Sequence, residues 1–420
     1  MKTKPMLARF SLYGFLKNQR YFEPFFWLAL LEKGLSFFEI GLLVTIRELT
    51  VVILEIPSGA IADTCGRRGS MILSFVAYLI SFSLLGWGGE LIWFIPAMFC
   101  YGVGDAFRSG THKAMIFAWL KEQGREDDRT TVYGYTRSWS KLGSAFSVVI
   151  AAIFVFVSNR YTYIFYLALI PYALNIINFM GYPSSLEGSA GNSRTPRAAA
   201  SLLRKTLAQT FSRPNLRRLI MESMSFEGFF ESIKDFLQPV LKAAALSLAV
   251  GSLASLSAIQ KSSLLVGPIY LVLFLLSAVA SRQAHRFTES AGGMEAAARR
   301  MWALSCLLYV VIAVAGWHQA FIPLMGALVL LHILQNMWRP ILISRFDSYG
   351  DESGGATLLS IESMGKRTAT MVLAPLLGLA VDMATTRSLG GPFWPVGIAG
   401  LVPALAFYIT SRKREEPSQR

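Results

Sequence analysis

Residues 54–68 read LEIPSGAIADTCGRR, and the way this stretch leaves an apolar run decides how the whole chain is organised. An apolar helix is expected to end at Ile61. Asp63 then lies where a following helix would offer its positive N-terminal dipole, and Gly66-Arg67-Arg68 forms a turn whose cations suit the cytoplasmic face of a membrane. The stretch reads as a short basic hinge between two membrane spans.

Composition agrees with that reading. The chain has 420 residues, 53% of them hydrophobic, with 29 Phe and 9 Trp and a mean hydropathy of +0.46, which is too apolar for a water-soluble protein of this length. The net charge of +14 sits in short segments between apolar runs, so a membrane surface explains it and nucleic acid does not. No nucleic-acid motif is present. Cys65, Cys100 and Cys306 fall in or beside apolar runs without CxxC spacing, so neither a disulfide framework nor a metal site is expected. The first apolar run contains Lys17, Arg20 and Glu23 and no small-residue cleavage site, so it is expected to stay as the first span rather than act as a signal peptide.

A bilayer core about 30 Å thick takes about 20 helical residues per crossing. On that measure the sequence predicts twelve spans: Leu7–Leu31, Phe37–Ile61, Ser70–Trp87, Leu91–Leu120, Val132–Val157, Tyr161–Tyr182, Leu216–Leu241, Val250–Ser281, Arg300–Trp317, Ala320–Ser344, Thr357–Val381 and Pro392–Thr410. The longest polar interruption, Pro183–Asn215, contains GSAGNSRTPRAAA and splits the spans six and six. The expected organisation is a six-helix bundle over residues 1–182, a cytoplasmic linker over 183–215, a second six-helix bundle over 216–411 and a basic tail over 412–420. Basic residues crowd onto one face, leaving only Lys33, Arg160, Lys242 and Arg387 on the other. Both termini and the linker are therefore expected in the cytoplasm, with the chain a multi-pass protein of the cytoplasmic (inner) membrane.

The loop resembles the signature between the second and third spans of the major facilitator superfamily, in which a Gly, an Asp four residues on and a Gly-Arg-Arg/Lys recur. Gly59, Asp63, Gly66, Arg67 and Arg68 all match. The resemblance implies an all-α membrane protein with two six-helix bundles related by pseudo-twofold symmetry and substrate held near the midplane between the halves. It also implies that Asp63 accepts hydrogen bonds or a salt bridge in a cytoplasmic gate. Internal repetition is weak: Asp105-Ala-Phe-Arg108 overlies Asn336-Met-Trp-Arg339 in spans 4 and 10. Two features depart from the family's proton-driven drug antiporters. Span 5 reads KLGSAFSVV over Lys141–Val149 with no proline, and Arg108 is followed by Gly110 and His112 rather than by a Gly four residues on.

Charges left inside the spans carry the chemistry, because a midspan charge costs at least about 2.5 kcal/mol facing lipid and must pair or line a wet cavity. Tyr13, Lys17, Arg20 and Pro24 form one helical stripe on span 1, and Tyr101, Asp105, Arg108 and His112 another on span 4. Arg137 and Lys141 lie one turn apart on span 5, with Arg137 expected near the cytoplasmic end, where snorkelling or gate pairing is favoured. Glu227, Glu231 and Asp235 fall on one side of span 7, with Lys234 beside them. Local pairing at helical spacing is an equal alternative for Asp105 with Arg108, Arg20 with Glu23, and Glu362 with Lys366. Lys17, Arg20, Arg108 and Lys141 nevertheless outnumber Glu23 and Asp105.

That surplus predicts a secondary carrier for an organic anion, with Lys17, Arg20, Asp105, Arg108, Lys141 and Arg339 as binding residues. Glu227, Glu231, Asp235 and His112 are the candidates for proton coupling. Two alternatives stand: proton-coupled efflux of a cationic or amphipathic compound held by the same carboxylates, and a non-transporting membrane sensor or scaffold on the same fold. An enzyme is not expected, since the chain has no nucleophile and base set, no HExxH and no GxxxxGK[ST]. No cofactor is expected. The expected partners are a small solute, protons and membrane lipid.

Overall fold

A bilayer core offers no hydrogen-bond partner to an exposed peptide group, so a chain that crosses it repeatedly must do so as helix or closed barrel. The computed structural model describes residues 3–64, 66–187, 212–248, 254–347 and 355–412, and among these it contains helices and no strand. Nine spans are single helices, eight of them Phe37–Thr64, Arg67–Trp87, Arg129–Ser158, Ile164–Met180, Ala258–Ala291, Met294–Trp317, Phe321–Asp347 and Trp394–Arg412. The eleventh is Gly355–Thr386. The first, fourth and seventh are interrupted, which makes twelve spans among the described residues. Seven helices are long and apolar enough to cross a membrane by length and composition alone.

Several boundaries differ from the sequence expectation: span 8 runs over Ala258–Ala291 rather than Val250–Ser281, span 9 starts at Met294 rather than Arg300, and two further differences bear on the site. Span 2 does not stop at Ile61 but stays helical to Thr64, so Asp63 belongs to the end of that helix rather than to the turn after it. The side chain of Asp63 lies outside the described residues, as does Cys65. Gly66 makes the turn with φ +97°, a backbone conformation that side chains resist, and Arg67 starts the next helix. Span 4 breaks after Arg108 instead of running unbroken to Leu120: Gly110 turns the chain at φ +73° and a second helix runs over Thr111–Glu122.

The chain divides into two compact units, Met1–Gly34 with Ile46–Leu202 and Leu35–Thr45 with Leu203–Arg420. Lipid is as apolar as leucine, so close packing rather than burial must hold helices together in a bilayer. In the first unit, spans 1 and 5 touch through small residues: a Cβ added at Gly143 would meet the Phe15 carbonyl oxygen at 2.5 Å. Buried rings join spans 3 and 6, with Tyr172 stacked on Tyr78 at 4.9 Å and on Phe82 at 5.3 Å. Lys33 donates to the carbonyls of Gly86 (2.9 Å) and Gly88, covering the end of span 3, and burial lowers the pKa of that ammonium. Arg68 donates to the Tyr182 carbonyl at 3.1 Å and lies 3.6 Å from Glu187, which ties the hinge to the end of span 6.

In the second unit the Phe226 ring stacks on Trp338 at 4.3 Å, and Trp302 stacks on Phe407 at 5.1 Å. The opening turn of span 2 belongs to this unit. Asp382 of span 11 accepts from the backbone N–H groups of Phe37 (3.2 Å) and Phe38 (2.8 Å), filling the place of an N-cap side chain. Thr45 Oγ1 donates to the Met371 carbonyl at 2.6 Å on the same face.

Candidate functional site

Span 1 breaks where its charges begin. The helix ends at Lys17 and resumes at Phe26, and the turn between contains Asn18, Gln19, Arg20, Glu23 and Pro24. Irregular backbone at membrane depth is tolerated where protein satisfies it or a cavity meets it. Here Asn18 Nδ2 donates to the Gly14 carbonyl at 2.7 Å, and Gln19 Nε2 donates to the Gly143 carbonyl at 3.3 Å. The break divides the predicted stripe. Lys17 remains with Tyr13 on the helix, its Nζ 5.8 Å from the centre of the Tyr13 ring. Arg20 lies in the turn, with Nη1 3.9 Å from Glu23.

Span 4 delivers Asp105 and Arg108 to the same helix end. Arg108 Nη2 donates to Asp105 Oδ1 at 2.9 Å and Arg108 Nε donates to the Tyr78 hydroxyl at 3.0 Å, while that hydroxyl donates to Asp105 Oδ1 at 2.5 Å. The triangle fixes the guanidinium. Tyr78 of span 3 was not among the predicted residues, because nothing in the sequence links an isolated tyrosine to a charge thirty positions away. Arg47 is likewise held by its neighbour Glu48 at 2.5 Å and lies over the Tyr101 ring at 5.7 Å.

Beside the Arg108 triangle, spans 1 and 5 and the Gly110 turn border an open cavity of about 530 Å³. Its charged lining among the described residues consists of Lys17, Arg108, Lys113, Arg137 and Lys141, with no Asp or Glu among them. Arg137, expected at a gate or the membrane surface, thus faces the same space as Lys17 and Lys141. His112 lies against Tyr13 with ring centres 3.8 Å apart, and its Nε2 is 3.4 Å from the Tyr182 hydroxyl. Lys113 sits over the rings of Phe117 (5.4 Å) and Tyr133 (5.6 Å). Arg20 is outside the lining.

The second unit treats its charges differently. Span 7 contains a π-helical turn over Met224–Gly228, a local widening often found at functional positions. It carries Glu227 into the protein, where Arg339 Nη1 lies 2.7 Å and Lys366 Nζ 3.3 Å from Oε2. Arg339 Nη1 also reaches Glu362 at 2.9 Å, and Ser223 Oγ donates to Glu362 at 2.6 Å. Glu362 and Lys366 are therefore not the self-neutralising pair that their four-residue spacing suggests, because each turns to a partner from another span. Gly228 makes room for this: a Cβ there would meet the Lys366 carbonyl at 2.9 Å. Glu231 pairs with Lys234 at 2.6 Å, and Asp235 accepts from Gln238 at 3.2 Å. The three span 7 carboxylates thus have separate partners. Arg345, one residue beyond the expected end of span 10, is buried and bridges Glu295 (2.9 and 3.0 Å) and Glu222 (2.8 Å).

Known proteins share this architecture. Residues 10–281, more than half of the chain, match the Major Facilitator Superfamily. The chain is 24% identical over 225 residues to the uncharacterized MFS-type transporter YxaM of Bacillus subtilis, a match covering 52% of this chain and 54% of that protein. It thus spans about half the length of that relative. It is 24% identical over 400 residues to the MFS efflux pump atnC of Emericella nidulans, covering 89% of this chain and 74% of the pump. The crystal structure of the nucleoside transporter NupG superposes with a TM-score of 0.76 at 13% identity, covering 97% of this chain and 98% of that one, which is a likeness of fold. With twelve spans, charges buried in their midst and a matching sequence from the first span to the eighth, this chain belongs to the major facilitator superfamily of membrane transporters.

Proposed function

We propose that the chain is a secondary active carrier that moves a small organic anion across the cytoplasmic membrane by alternating access, with proton coupling. The observation that carries this reading is the cavity of about 530 Å³ whose lining, among the described residues, holds Lys17, Arg108, Lys113, Arg137 and Lys141 and no carboxylate. Such a set attracts an anion, and a guanidinium can grip a planar oxyanion with two parallel bonds. Lys17, Arg108 and Lys141 are the proposed binding groups. Asp105 competes with the substrate for Arg108. Arg20 and Arg339, each beside a carboxylate, act on this reading by changing partners during the cycle. Glu227 is the foremost coupling residue, since a proton on it would release Lys366 and leave Arg339 with Glu362 alone; His112 is the second, at the cavity wall. Glu231 and Asp235 come after them, each with a partner of its own on span 7.

Both termini and the linker over 183–215 are placed in the cytoplasm on this reading, with Gly59, Asp63, Gly66, Arg67 and Arg68 forming a cytoplasmic gate. The rival, proton-coupled export of a cationic or amphipathic compound, draws on the likeness to an efflux pump along 89% of the chain. It needs accessible carboxylates, whereas Glu227 and Glu231 are already held by cations.

Three variants at one residue pair test the anion reading. Arg108→Lys is expected to weaken binding of an anionic ligand by about tenfold, because an ammonium cannot reproduce the fork. Arg108→Ala should weaken it further, and Asp105→Asn should tighten it by freeing the guanidinium. Ligands come from anionic and cationic metabolite sets screened by thermal stabilisation of the purified protein. Unchanged affinity across all three variants, or stabilisation by the cationic set alone, would refute the proposal.

A further inference from the structure

We infer that the anion taken by this cavity carries two charges on a single head group, as a phosphate monoester does. The inference rests on the anion-carrier reading and narrows it to a substrate class. Five basic side chains line the cavity, and only Arg108 among them has a carboxylate within ion-pair distance among the described residues. Lys113 lies over the Phe117 and Tyr133 rings, as Lys17 lies over the Tyr13 ring, and a ring face leaves a cation's charge in place. Lys17, Lys113, Arg137 and Lys141 have no carboxylate within ion-pair distance among the described residues, so a monoanion would leave most of the positive charge uncompensated, and a dianion balances it better.

The backbone adds donors of the same sign. The helix over Thr111–Glu122 starts at the cavity wall, with Gly110 and the first-turn residues His112 and Lys113 in the lining. Its N-cap position is Gly110, which has no side chain to offer, and the Thr111 hydroxyl turns back to the Phe107 carbonyl at 3.1 Å. No side-chain cap covers the N–H groups of that turn. Uncapped amides and the positive end of a helix dipole suit an oxyanion, and phosphate brings three strong acceptor oxygens to such donors. Lys17 and Lys141 act as point charges, which match a tetrahedral head as well as a planar one. The Tyr13 and His112 rings give the organic body of the substrate a flat neighbour, and the cavity volume lies in the usual range for small-molecule sites, about 300–1,000 Å³.

Phenyl phosphate and phenyl sulfate separate charge from shape, since the two are nearly isosteric and differ by one unit of charge above pH 7. Binding to the purified wild-type protein should be at least tenfold tighter for the phosphate at pH 7.5. That advantage should shrink toward pH 5.5, as the second phosphate proton, with a pKa of about 6, is taken up. Phenyl sulfate keeps its charge and so reports any titration of the protein itself. Lys17→Gln and Lys141→Gln should each cost the phosphate more than the sulfate. Equal affinity for the two compounds would overturn the dianion inference and leave the anion carrier standing. Failure of both to bind would remove both readings. A phosphate advantage that persists undiminished to pH 5.5 would also refute the inference, because shape rather than the second charge would then be responsible.

Discussion

Glu227→Gln tests whether the buried charges of spans 7, 10 and 11 are held by their mutual balance. Glu227 and Glu362 face Arg339 and Lys366, so the formal charges cancel. The substitution is close to isosteric, so packing at the π-helical turn survives and the loss is electrostatic. Arg339 keeps Glu362 at 2.9 Å, but Lys366 loses its 3.3 Å partner. Breaking a fully buried pair by removing one member costs about 3–5 kcal/mol. The Glu227 side chain is 1% exposed, whereas Lys366 is 23% and Arg339 35% exposed, so screening lowers the expected loss to about 2–3 kcal/mol. Lys366→Met removes the opposite charge and should cost about 1–2 kcal/mol, since Glu227 retains Arg339. The double variant is neutral again and should recover at least about 1 kcal/mol relative to the sum of the singles. Unfolding in detergent followed by tryptophan fluorescence suits the measurement, because Trp338 stacks on Phe226 at 4.3 Å, next to Glu227. Losses that add within about 0.5 kcal/mol would refute charge balance as the source of stability.

Gly143→Ala should destabilise the first unit by about 1–3 kcal/mol, because the added methyl meets the Phe15 carbonyl oxygen at 2.5 Å. On the same helix Gly134→Ala has open space and should be neutral or stabilising, so equal effects at the two sites in thermal unfolding would rule out the close span 1–span 5 approach. Asp382→Ala removes the acceptor for two N–H groups and should cost about 1–2 kcal/mol, with faster amide exchange at Phe37 and Phe38. Unchanged exchange there would mean that the cap contributes nothing. A reporter active only in the cytoplasm should work when fused at Arg420 or within residues 189–194 and fail at Arg160 or Arg387; the reverse pattern would invert the proposed orientation.

Hydrophobic length and the placement of Lys and Arg made the spans legible, since insertion into a bilayer depends on local properties that a sequence displays directly. Ten of the twelve spans begin within a few residues of where an apolar run begins, and the signature from Gly59 to Arg68 pointed to the family that residues 10–281 match. The basic surplus on spans 1, 4 and 5 was legible too, and Lys17, Arg108 and Lys141 line one cavity.

Partner choice was not legible. Asp105 and Arg108 bond each other as their spacing allows, but Glu362 and Lys366 have similar spacing and each bonds a residue of another span. Neither did the sequence reveal that span 1 breaks after Lys17 and so separates Arg20 from the stripe, nor that Arg345 is a buried clamp between Glu222 and Glu295. The physical reason is range. Hydrophobic length, helical period and charge asymmetry are properties of neighbouring residues, so the sequence by itself determined the number and order of the spans. The partner of a buried charge depends on which helices pack together and how closely small residues such as Gly143 and Gly228 let them approach, and that only the tertiary structure decided.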